Sequence, residues 1–181
     1  MTLKIVRLGN PKLRLKSKTV KKREIKSKRF QKFLDALAAI CIKNDGVGIA
    51  APQVGVNKRI IVVHVDPKNP RYEGKKPFAL TIIINPKIVK KSVAKKEDWD
   101  GDLSADLRGL VPRSTTCVVK GLDRHGKELK FDLKYDFHAR VFQHEIDHLD
   151  GILFVDKVKN KKSLSEYKEW KKYWKNRDSS K

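Results

Sequence analysis

Between Ser27 and Asn44 the apolar positions Phe30, Phe33, Leu34, Leu37, Ile40 and Cys41 recur every three or four residues, which predicts a helix with one buried face. Ser27 supplies a hydroxyl N-cap, and Asn44–Asp45–Gly46 ends the run. The period then changes. "RIIVVHV" (59–65) is an unbroken apolar run of strand length, and "FALTIIINP" (78–86) reads as a second strand stopped by Asn–Pro, with a surface loop between them at 66–77. Residues 87–113 read as short strands and turns. Residues 115–135 alternate, turn at "DRHG" and alternate again, the pattern of a hairpin. Helical spacing returns over 136–154, with Asp136 as the expected cap. It returns again over 163–177, where Ser163 and Glu166 form a capping box and Tyr167, Trp170 and Trp174 share a face. Residues 1–26 follow neither period and predict irregular chain. With no internal repeat and no second domain visible, the pattern predicts an α+β fold, a helix packed on antiparallel strands. Residues 1–160 form one domain, and 161–181 form a basic C-terminal helix and tail.

Composition narrows the surroundings more than the fold. The chain has 181 residues, enough for a sizeable core, and 43 basic against 21 acidic residues give a formal charge of +22. That charge favours polyanionic partners, the ribosome among them, although a general bias toward lysine accounts for it equally well. Two cysteines, Cys41 and Cys117, are too few for a disulfide framework and fit a reducing compartment. No apolar run approaches membrane-spanning length, so no membrane partner is expected. The first residues, "MTLKIVRLGN", lack the apolar core of a secretory signal. The expectation is a monomer, cytoplasmic if bacterial or phage-encoded and in an organelle matrix if a transit peptide has been removed.

The chemistry concentrates in "QHEIDHLDG" (143–151). His144 and His148 stand at i and i+4, on one helical face, so both imidazoles can reach one divalent metal ion. Glu145, beside His144, is placed to move the proton of a reacting water.

Three ordered stretches carry a family resemblance. "RVFQHEIDHLDGILFVD" (140–156), "GVGIAAPQVG" (46–55) and "WDGDLSADLRGLVPR" (99–113) resemble the third, first and second signatures of peptide deformylases, and "NPKLR", "RIIVV" and "INPKI" match further landmarks in order. The resemblance implies a small α+β fold around the metal helix. It implies removal of the formyl group from N-formylmethionyl peptides, with Fe²⁺, often replaced by Zn²⁺, Ni²⁺ or Co²⁺, as the cofactor. By the same resemblance the oxyanion donors are the Gln53 side-chain amide and the Leu103 backbone N–H. Val47 and Gly48 offer backbone along which a peptide lies as an added strand. Ile49, Val141 and Phe142 are expected to line the methionine pocket, and Arg108 to contact the peptide.

The second signature departs from the family pattern, Glu-Gly-Cys-Leu-Ser. Here it reads Asp100-Gly101-Asp102-Leu103-Ser104, which puts Asp102 in the place of the metal-binding cysteine. Anchoring on "LRGLVPR" instead would put Gly101 there and leave no ligand. A carboxylate is a competent third ligand beside two histidines. Cys41 and Cys117 are expected to be core thiols. The alternatives are a weak or inactive deformylase-like protein that binds nascent chains or ribosomes, a His₂-Asp ferrous oxygenase, and a charge-driven nucleic-acid module. The oxygenase leaves Glu145 and Gln53 without a task, and the nucleic-acid module has no recognisable motif.

Overall fold

The computed structural model describes residues 2–175. Its strands are β1 (Gly48–Ala50), β2 (Ile60–Val65), β3 (Phe78–Lys91), β4 (Lys95–Asp102), β5 (Ala105–Ser114), β6 (Cys117–Leu122), β7 (Glu128–Leu133) and β8 (Ser165–Glu166). Its helices are α1 (Lys22–Ile25), α2 (Lys28–Lys43), α3 (Asp136–Leu149), α4 (Phe154–Lys157) and α5 (Tyr167–Tyr173). One antiparallel sheet has the order β1-β2-β3-β6-β7, and a smaller one the order β4-β5-β8.

Strand β2 is apolar without alternation because both of its faces are covered. Ile61, Val63 and Val65 pack with Phe142, Ile146 and Leu149 of α3. Ile60 and Val62 pack with Leu34, Leu37 and Cys41 of α2 on the other side. Each such fully buried side chain contributes roughly 1.5–3 kcal/mol from burial. The helix predicted from Ser27 forms as expected. The Ser27 hydroxyl accepts from the Phe30 N–H at 3.2 Å, and Asn44 is the C-cap. Cys41 and Cys117 are buried free thiols, and burial pushes Cys117 up to about 11.

Several boundaries differ from the sequence pattern. Asn85–Pro86 does not stop β3. Asn85 takes a left-handed φ of 53°, the β3–β6 register shifts between Ile84 and Lys87, and the strand resumes. The Asn85 side chain holds the Val20 backbone by two hydrogen bonds, at 2.9 and 3.0 Å. Residues 95–114 form one long hairpin rather than short strands and turns. The cap of α3 is Tyr135. Asp136 sits in the first turn and pairs with Lys96 at 3.0 Å. That helix ends at Leu149, and the chain turns at Asp150–Gly151 before α4. Residues 1–26 include a 3₁₀ turn, Pro11–Arg14, as well as α1.

The capping box of Ser163 and Glu166 is absent. Glu166 pairs with Leu107 on the edge of the small sheet, so α5 starts only at Tyr167. The end of the predicted 163–177 helix lies outside the described residues.

Candidate metal centre and peptide cleft

Helix α3 runs between the two sheets, so even its polar residues His138, Arg140, Gln143, His144, Glu145 and His148 are buried. Beside it, β4 and β5 meet at a tight corner, Leu103–Ser104, because Asp102 pairs directly with Ala105. The corner fixes the Asp102 carboxylate. Oδ1 accepts from the Ser104 N–H at 2.6 Å and from the Gln53 Nε2 at 2.7 Å. Gln53 is itself anchored, its Oε1 accepting from the Ala50 N–H at 2.7 Å. Oδ2 of Asp102 then lies 3.2 Å from His148 Nε2, which lies 3.2 Å from His144 Nε2.

One donor atom from each of Asp102, His144 and His148 falls within 4.8 Å of the others, and all three residues are buried. Burial alone would raise the Asp102 carboxyl, but the imidazoles of His148 and His144 and the Ser104 N–H outweigh it. They hold the group well below the usual carboxylate range. Two imidazole nitrogens and one carboxylate oxygen, with the second oxygen already occupied, fit a divalent cation such as Zn²⁺ or Fe²⁺.

Glu145 differs from these three. Its Oε2 is buried and has no hydrogen-bond partner. Burial raises its carboxyl to about 7, against the opposing pull of His144 and His148. Gly48 lies flat against it, and a Cβ there would overlap the carboxylate.

These groups open into a cleft of about 510 Å³ including its mouth. It is lined by Val47, Gly48, Gln53, Asp102, Leu103, His144 and Glu145, with Val141 and Tyr72 on its walls. Two residues expected in the methionine pocket lie elsewhere. Strand alternation turns Ile49 into the core under α2, and Phe142 packs against Phe78 and Phe131. Arg108 is absent from this cleft and lines a recess beside it.

The sequence matches the family model described as Polypeptide deformylase over residues 2–164. The chain belongs to the polypeptide deformylase family. It is 46% identical over 159 residues to Peptide deformylase 2 of Nostoc sp., covering 87% of each chain. It is 40% identical over 163 residues to Peptide deformylase 1A, chloroplastic, of Solanum lycopersicum, covering 85% of this chain and 58% of that one. The class I type b peptide deformylase of Acinetobacter baumannii, solved with Met-Ala-Ser bound, superposes with a TM-score of 0.83 at 36% identity, covering 87% of this chain and 99% of that one. These relatives come from bacteria and a chloroplast. Among the described residues, no helix is long and apolar enough to cross a membrane.

Within this deformylase fold, position 102 rather than 101 faces the histidines. Gly101 instead lies against the Arg108 guanidinium, which a Cβ would overlap. Asp100 has contacts in the site that no local sequence pattern marks. Its Oδ2 accepts from Arg113 Nε at 2.8 Å and faces His144 Nδ1 at 3.4 Å, and its Oδ1 accepts from Arg140 at 2.7 Å. Arg113 reaches on to Asp147 at 2.8 Å. Burial opposes ionisation of Asp100, but Arg113, His144 and Arg140 together hold it far below the usual range. Engaging Nδ1 leaves the Nε2 of His144 to face the metal site. Asp100 stands inside the quoted signature, so its position was visible. Arg113 and Arg140 lie at no spacing that marks them.

Proposed function

We propose that this protein hydrolyses the N-formyl group of newly made polypeptides, using a divalent cation held by Asp102, His144 and His148. The observation that carries this reading is the convergence of those three buried donors beside Glu145, whose buried Oε2 has no hydrogen-bond partner among the described residues. When bound, the cation supplies Lewis acidity that polarises a carbonyl and acidifies water.

The other parts of the chemistry fall to side chains and backbone. The peptide lies against the Val47–Gly48 backbone, with its methionine toward Val141. A water attacks the formyl carbon. Glu145 takes its proton and delivers it to the departing amine, so that formate and a free N-terminus result. A carboxyl poised near neutral pH suits both halves of that task. Gln53 gives one amide N–H to Asp102 and has a second for the developing oxyanion, joined by the Leu103 backbone N–H.

Two imidazoles with one carboxylate suit Zn²⁺ or Fe²⁺, with Ni²⁺ and Co²⁺ as further occupants. The protein acts as a monomer near the ribosome. The exposed Lys168, Lys171 and Lys172 of α5 and the charge of +22 support contact with ribosomal RNA.

Metal content and formate release from a formyl-Met peptide test the reading together. Asp102→Ala should lose bound metal and activity. Glu145→Gln should keep the metal and lose about 10²–10⁴ in rate. Full metal content in Asp102→Ala, or undiminished turnover in Glu145→Gln, would remove that residue from the mechanism.

A further inference from the structure

The recess beside the metal cleft shares the walls Arg71, Tyr72, Trp99, Phe137 and Arg140 with it, and α5 closes its far side with Trp170. It measures about 950 Å³ including its mouth. Arg108 stands at the junction and is only 2% exposed. Its guanidinium is enclosed by the rings of Trp170 at 5.0 Å, Tyr167 at 5.2 Å and Tyr72 at 5.7 Å. Among the described residues its one hydrogen bond runs from Nη1 to the Tyr72 hydroxyl at 3.2 Å, and the buried Nε and Nη2 have no partner there.

The guanidinium of Arg71 lies over the same Tyr167 ring at 5.1 Å, and its Nε is also buried and unpartnered. Of the other cations lining the recess, Arg140 pairs with Asp100, Lys175 pairs with Glu73, and Lys75 lies over the Phe137 ring at 5.2 Å, while Glu73 and Asp98 are the carboxylates of its wall. Among the described residues, neither Arg71 nor Arg108 forms an ion pair with a carboxylate. Two guanidiniums sharing one ring in a partly dry recess repel each other and leave donors unused. Ring contacts offset part of that cost, and an anion between the two would offset the rest.

We propose that this recess is an anion subsite that takes the carboxylate of an Asp or Glu side chain downstream of the methionine of the formyl-peptide. The proposal rests on the peptide reading above, because a chain leaving the metal cleft along the shared walls passes Arg71 and Arg108. It gives α5 a place in substrate selection, since Tyr167 and Trp170 set the guanidinium that reads the acid.

Binding is measured on the metal-loaded protein by the fluorescence of Trp99 and Trp170, which line the recess. The probes are the deformylated peptides Met-Ala-Ala-amide, Met-Glu-Ala-amide and Met-Ala-Glu-amide, with Met-Ala-Ala free acid to separate side-chain from terminal carboxylate. A glutamate amide should bind about tenfold tighter than the alanine amide at low salt. Arg71→Gln and, separately, Arg108→Gln should abolish that ratio, and Arg71→Lys should retain part of it. The alanine amide is the control: an affinity for it close to that of the unsubstituted protein shows that a variant keeps its fold, so that loss of the ratio reports the subsite. Equal binding of all the amides, or a glutamate preference that survives both glutamine variants, overturns the subsite. A preference for the free acid alone overturns the side-chain assignment. Formate release from the formylated peptides is followed in parallel; its absence would sink the deformylase reading without touching the binding ratio.

Discussion

The β6–β7 hairpin buries Cys117, Val119 and Leu133 and turns Lys120, Glu128, Lys130 and Asp132 to solvent. The β4–β5 hairpin has the same antiparallel build, yet it buries Asp100, Asp102, Arg108 and Arg113. One hairpin spends its inward positions on core, the other on charge. Charge turned inward needs partners from elsewhere in the chain, and β4–β5 finds them on α3 in Arg140, His144, Asp147 and His148. A small fold can thus hold a buried polar site where one hairpin and a helix bring opposite charges together. The β4–β5 hairpin brings one carboxylate, Asp102, against His144 and His148 and sets a second, Asp100, against the Nδ1 of His144. The plain hairpin supplies the apolar floor under the same helix.

Asp100→Asn should separate the two hairpins most sharply. Removing one partner of a buried ionic cluster leaves the others uncompensated, at a cost of about 3–5 kcal/mol. Arg113 retains Asp147, but Arg140 loses its carboxylate. Urea unfolding of the metal-free protein reads the loss; a change under 1 kcal/mol would mean that water already screens the cluster.

Glu145 gives the next largest effect, through pH. Its folded carboxyl is raised from 4.5 to about 7, so the folded state holds its proton more tightly than the unfolded chain does. Its contribution is therefore fully present below about pH 4.5 and is lost as pH rises through about 7. Metal-free Glu145→Gln should match wild type in the acid and exceed it by about 3 kcal/mol at pH 8. Parallel stability curves for the two proteins across that range would contradict the burial argument.

The smallest effect belongs to the plain hairpin. Lys120 and Lys130 sit directly opposite each other on its exposed face. Lys130→Glu should stabilise the protein by about 0.2–1 kcal/mol, most at low salt. A destabilisation would show that this face carries a contact the charges do not explain.

From sequence alone, local rules were enough for α2, whose apolar face repeats at helical spacing and whose Ser27 cap needs only its own next turn. They were enough for β6–β7, whose inward residues are apolar, and for the pairing of His144 with His148, because i and i+4 share a face on any helix. The motif order identified the family and put Asp102 in register with His144 and His148. What lay beyond reach depended on distant partners. The long β4–β5 hairpin was illegible because its buried positions are charged, and alternation is read from hydrophobicity. The continuation of β3 past Pro86 depends on Asn85 holding Val20, a contact spanning 65 residues. Ile49 turns away from the cleft because neighbouring residues of β1 face opposite cores, Ala50 one and Ile49 the other. The task of Asp100, and the recess that α5 closes over Arg108, exist only once helix and sheet meet. A carboxylate or guanidinium takes its energy from the charges and rings brought against it in space, and no local pattern in the chain records them.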